Sequence, residues 1–96
     1  MSKYIEQRVQ RGIELLDKER PGWRSEIDLH KLDMGEYNIC ILGQLYGDYG
    51  KGADKLFGIR SFDGSPAHYG FDKHPGLSDP FKALNDEWKK QLSTEN

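Results

Sequence analysis

Two histidines and a carboxylate fall close together in the second half of the chain, at His68, Asp72 and His74. Such a set can hold zinc or iron and leave one coordination position open. The spacing H-x3-D-x-H matches no strong ligand pattern, however, and solvated or capping histidines are the simpler interpretation. A metal-binding domain or metal-dependent enzyme therefore stays an alternative, and we predict no cofactor.

Other patterns that can support catalysis are incomplete. Cys40 lies within an apolar run, whereas a reactive thiolate needs an electropositive and partly exposed setting. The glycine-rich segment 47–52 lacks the first glycine and the final serine or threonine of a phosphate-binding loop, which makes a flexible turn the simpler interpretation. Carboxylate pairs such as Asp28 with Asp33 are expected by chance among sixteen acidic residues. We therefore predict that the chain is not an enzyme.

Aromatic side chains are concentrated in the glycine-rich half of the chain. Because tyrosine and tryptophan bind partners at low entropic cost, an exposed group of aromatics would mark a protein-binding face. A small core is not expected to bury all of them, although the simpler interpretation of any single one is a core residue. The predicted partner-binding residues are Tyr46, Tyr49, Phe57, Phe62 and Tyr69.

The composition indicates one small globular domain spanning residues 1–96. The chain has a mass of 11.1 kDa, a mean hydropathy of −0.84 and 35% hydrophobic residues, which suffices for one modest core. Fourteen basic and sixteen acidic residues give a net charge of −2, and without a basic stripe we expect no nucleic-acid binding. No long apolar run or signal-like start is present, and the single cysteine fits a reducing compartment, so we predict a cytoplasmic protein without membrane insertion.

Three helices are predicted to form the core, at 3–19, 38–47 and 79–92. The first carries an apolar stripe of Ile5, Val9, Ile13 and Leu16, and the last carries a similar stripe. Short helical turns that end at Gly58 and Gly70 join them between 50 and 71. Gly12 and Gly43 suggest that another part of the backbone packs closely at each position. A direct contact between the two glycines is one such arrangement. A short β-ribbon near 27–34 and a strand at 37–42 stay open, and residues 93–96 are expected to fray.

Four stretches of the chain carry a resemblance to a known group of proteins. They are Leu15–Asp17 with Arg20–Trp23, Ile27–Leu29 with Leu32–Met34, Cys40–Tyr49 and Tyr69–Asp72, and the run Cys-Ile-Leu-Gly-Gln-Leu-Tyr-Gly-Asp-Tyr is the most specific of them. Together they resemble a family of small uncharacterised proteins encoded by actinobacteria and their phages, mycobacteriophages included. The resemblance implies a context rather than a mechanism.

In that context we expect a small phage-type protein in the cytoplasm of the bacterial host. It would act by binding a host protein, with growth inhibition or superinfection exclusion as the outcome. A structural module that self-assembles, for example as a homodimer, is a further alternative. The resemblance assigns no catalytic residue to this chain.

Overall fold

The computed structural model describes residues 3–58, 65–73 and 80–94, and within them the protein is mainly helical. This confirms the predicted fold class, and no strand occurs in the described ranges. None of the helices found there is long and apolar enough to cross a membrane. The α-helices are α1 (Lys3–Glu19), α2 (Ile41–Tyr46), α3 (Tyr49–Phe57), α4 (Ser65–His68) and α5 (Pro80–Thr94), and a single 3₁₀ turn spans Trp23–Glu26.

The core lies between α1 and α5 and is closed by α2. The predicted apolar stripe of α1 is buried at Val9, Ile13 and Leu16, because these positions share one face of a 3.6-residue repeat. The stripe of α5 meets it through Leu84, Trp88 and Leu92. Trp23, which the proline-glycine turn after α1 places over this core, contacts Trp88 edge to face with ring centroids 6.3 Å apart.

Residues 27–34 do not form the β-ribbon that we considered. Their backbone makes local turns, in which the amide of Leu32 donates to the carbonyl of Asp28 at 3.1 Å. The side chain of Gln44 bonds both backbone groups of Asp28, since its amide oxygen accepts from the Asp28 N–H at 2.7 Å and its NH₂ group donates to the Asp28 carbonyl. A glutamine side chain thus replaces the neighbouring strand that a ribbon would require.

The central helix begins later than the predicted residue 38, and residues 37–42 form no strand. Residues 37–39 are turns, and Cys40 takes an extended backbone conformation whose sulfur accepts the N–H of Gly43 at 3.3 Å. Cys40 is therefore the N-cap of α2, a role usually taken by serine, threonine, asparagine or aspartate.

The segment 47–52 is not the flexible turn that its glycines suggest. Gly47 ends α2 with a φ of 104°, and Asp48 then caps α3 by accepting the N–H of Lys51 at 2.7 Å. Gly52 is buried against Leu42. The glycines therefore allow α2 and α3 to pack closely, and α3 ends at Gly58, where we predicted a helix end.

The loop after α4 packs directly against α1. A Cβ atom at Gly12 would collide with the carbonyl oxygen of Tyr69, and Gly70, with a φ of 77°, lies against the backbone of Val9. The close approach predicted at Gly12 is confirmed, but its partner is this loop and not Gly43. Gly43 instead faces the backbone of residues 37–38.

The last helix, α5, is longer than predicted. It continues to Thr94, two residues beyond the predicted end, and the fraying expected of residues 93–96 stays a prediction. Asp79, the predicted cap, and residues 95–96 lie outside the described residues.

Candidate functional site

The predicted partner-binding aromatics are distributed over separate parts of the surface. Phe57 and Tyr69 lie together, with ring centroids 5.4 Å apart. They line a shallow groove of about 200 Å³ with Leu15 and Leu56. Both rings are partly buried and pack against the core. Their role in binding stays a prediction.

Tyr46 and Tyr49 belong to different surroundings. The Tyr46 ring lies beneath the guanidinium group of Arg20, 4.9 Å from its centroid, on the side of the 3₁₀ turn. Tyr49 lies at the start of α3 and lines a recess that Tyr46 does not reach. Phe62 lies outside the described residues.

The recess beside Tyr49 has a volume of about 160 Å³ and is open to solvent. Among the described residues that line it, half are aromatic and one is a carboxylate. We call it the aromatic recess. Its lining residues are Tyr37, Tyr49, Phe71, Phe81, Asp72, Met34, Gly35 and Cys40.

Several elements converge to place these side chains. The N–H of Tyr49 donates to the carbonyl of Tyr37 at 2.7 Å, so the start of α3 is tied to the turn before α2. Phe71 is fully buried and stacks on Trp88 of α5, with the ring centroids 5.7 Å apart. Phe81 comes from the first turn of α5. The recess is therefore built on packed elements and is largely pre-formed.

Tyr49 and Asp72 form the polar part of the recess. The Tyr49 hydroxyl donates to Oδ2 of Asp72 at 2.8 Å, and Oδ1 accepts the N–H of Lys73 at 2.7 Å. Burial and the hydrogen bond to Asp72 raise the pKa of Tyr49 well above its ordinary value. Tyr49 therefore remains a neutral donor that orients the Asp72 carboxylate at physiological pH.

Cys40 does not have the surroundings of a catalytic thiol. Its residue is 1% exposed, and burial raises the pKa of the thiol. A protonated thiol behind apolar atoms is a poor nucleophile. Cys40 therefore serves as wall of the recess and as helix cap.

The predicted metal ligands are only partly described. His68 is an exposed residue at the end of α4, and its imidazole contacts Tyr69 edge to face at 5.3 Å. Partial burial and the charges of Arg11 and Arg8 lower the pKa of His68. No group of three potential metal ligands occurs among the residues for which coordinates are described, and His74 lies outside them. The metal hypothesis thus stays a prediction.

Two exposed tyrosines are not among the predicted partner-binding residues. Tyr37 is 67% exposed at the edge of the aromatic recess, and Tyr4 is 76% exposed on α1. Tyr37 directly precedes the predicted helix 38–47 and is not among the predicted binding residues. Its position before the helix is the signal that could have placed it at the surface.

Comparison with known protein families, with curated proteins and with solved structures finds no match to this chain. The functional argument therefore depends on the geometry described above.

Proposed function

We propose that this chain acts by protein–protein interaction and that Tyr37 with the aromatic recess is its contact surface. The observation that carries the proposal is a tyrosine 67% exposed beside a recess with apolar walls and an oriented carboxylate. Tyrosine is enriched among the few residues that dominate binding energy in protein interfaces, and such residues cluster at well-packed pockets.

Pre-organisation supports the same proposal. The carbonyl of Tyr37 accepts the Tyr49 N–H, and the amide of Gly35 donates to Asp33 Oδ1 at 2.9 Å. The Met34 N–H donates to the side chain of Asn85 at 2.6 Å, which joins this turn to α5. Because these bonds hold the turn in place before binding, less conformational entropy is lost when a partner docks.

The expected partner is a protein of the bacterial host. This follows from the resemblance to small proteins of actinobacteria and their phages, and not from the coordinates. Binding in the host cytoplasm could inhibit growth or exclude a second phage, and both outcomes require contact with a host protein rather than catalysis.

The test compares two tyrosine variants of the full chain in quantitative pull-downs from mycobacterial lysate. Tyr37→Ala removes the proposed anchor, whereas Tyr4→Ala removes a similarly exposed tyrosine on α1 and serves as the matched control. We expect a protein that is retained by wild type and Tyr4→Ala but is lost, by at least about tenfold, with Tyr37→Ala.

Circular dichroism spectra of both variants establish that they are folded. If no protein depends on Tyr37, or if both variants lose the same protein equally, the proposal is wrong.

A further inference from the structure

We propose that the aromatic recess binds an organic cation, namely the charged head of a lysine or arginine side chain that the partner inserts. This inference rests on the proposed function, because it names the chemistry of the partner at the same surface. Three observations carry it: the aromatic lining, a carboxylate without an ion pair among the described residues, and the dimensions of the recess.

The aromatic lining favours a cation with an apolar stem. The faces of aromatic rings carry partial negative charge, and such rings attract ammonium and guanidinium groups within about 6 Å. Four aromatic residues line the recess. The chain already shows the interaction, since the ammonium group of Lys73 lies 5.8 Å from the centroid of Phe81.

The carboxylate of Asp72 supplies the opposite charge. Its two oxygens accept from the Tyr49 hydroxyl and the Lys73 N–H. Within the described ranges, Asp72 forms no ion pair with a lysine, arginine or histidine. A carboxylate that is oriented by a neutral tyrosine and lacks a cation partner is suited to accept one from outside.

Further negative charge lies close to the recess. Asp33 is hydrogen-bonded to the amide of Gly35, a lining residue, and the exposed Glu36 precedes Tyr37 in the same turn. Among the described residues, Lys73 places a positive charge against the lining, over the ring of Phe81. The local charge therefore complements a basic partner and would repel an acidic one.

The dimensions fit one side chain. The volume of about 160 Å³ is close to that of cavities of about 150 Å³ that accept a benzene-sized molecule. A lysine or arginine side chain enters with its methylene groups against Met34 and Phe81 and its charged head toward Asp72. A longer peptide segment would extend over Tyr37.

The test uses small probes and needs no identified partner. Labelled protein is titrated with Nα-acetyl-lysine amide, with the corresponding arginine and trimethyllysine compounds, and with the neutral Nε-acetylated lysine compound, while amide chemical shifts are recorded. We expect saturable shifts at Gly35, Tyr37 and Lys73 with the charged probes. The neutral probe should bind at least about threefold more weakly.

Two carboxylate variants locate the effect. Asp72→Asn should weaken binding of the charged probes by about threefold or more, whereas Asp86→Asn, an exposed carboxylate paired with Lys82 on α5, should leave it unchanged. Lys73→Met should strengthen binding, because it removes a competing cation from the ring of Phe81.

Equal binding of the charged and neutral probes, no binding, or equal effects of the two carboxylate variants would overturn the inference. Those results would leave the pull-down comparison of Tyr37→Ala with Tyr4→Ala as a separate test of the proposed function.

Discussion

The indole N–H of Trp88 donates to the carbonyl oxygen of Gly70 at 2.7 Å, and both groups are buried. This bond joins α5 to the loop that carries Phe71 and Asp72. The same loop is held from α1, where the guanidinium group of Arg8 donates to the carbonyl of Ala67 at 2.8 Å. The polar part of the aromatic recess is thus fixed from two helices that lie far apart in sequence.

Replacing Trp88 by Phe should destabilise the protein through this bond. The substitution leaves the Gly70 carbonyl buried without its donor, which costs about 1–3 kcal/mol, in addition to the lost packing. Trp23→Phe is the matched control, since its indole N–H donates to Asp17, an exposed carboxylate that water can also reach. Urea unfolding should therefore show the larger loss for Trp88→Phe, and equal losses would contradict the assigned role of the bond.

Gly12→Ala should destabilise the fold although alanine favours helix. The added methyl group would collide with the Tyr69 carbonyl, so α1 and the loop must move apart, at a cost of about 1–3 kcal/mol. Gly50→Ala is the control, because this exposed helical position has space and should gain up to about 1 kcal/mol. Thermal unfolding of the two variants should shift in opposite directions. A stabilised Gly12→Ala variant would show that the close approach does not exist in solution.

Cys40→Ala should lower stability by about 1 kcal/mol through loss of the α2 cap, whereas Cys40→Ser retains an acceptor for the Gly43 N–H and should lose less of the capping energy. The buried thiol should also react slowly with a thiol reagent in the native state and rapidly in denaturant. Absorbance on reaction with a disulfide reagent measures both rates. Similar rates in the two states would mean that Cys40 is accessible.

Stability should fall slightly on mild acidification because of His68. Partial burial and the nearby Arg11 and Arg8 lower the pKa of this histidine in the folded protein, so the unfolded chain binds more protons over the interval between the two pKa values. Stability therefore rises with pH in that interval and decreases as the pH falls through about 6.5.

The comparison is between wild type and His68→Gln in urea at about pH 7.5 and 5.5, a range that brackets the ordinary histidine pKa. Wild type should lose more stability than the variant over this range. Because the ring is largely exposed, the difference should be small. An identical loss in both proteins would show that His68 does not contribute.

Local patterns predict the outer helices well. In α1 and α5 the apolar residues recur at helical spacing, and three residues of each stripe are buried in the structure, whereas Ile5 and Phe81 are partly buried against the core. The glycines at positions 58 and 70 also terminate short helical segments as predicted, with positive φ angles of 59° and 77°. These features depend on neighbours within one or two turns, which is why the sequence alone reveals them.

Contacts between distant residues decide the rest. The turns at 27–34 depend on the side chain of Gln44, and the pairing of Tyr49 with Asp72 joins residues 23 positions apart. Neither contact leaves a periodic signal in the sequence. Each forms only when the folded chain brings two distant segments together. The amino-acid sequence therefore determined the helical class and the buried stripes. Tertiary packing alone decided that Tyr37 faces solvent and that four aromatics and one carboxylate share a recess.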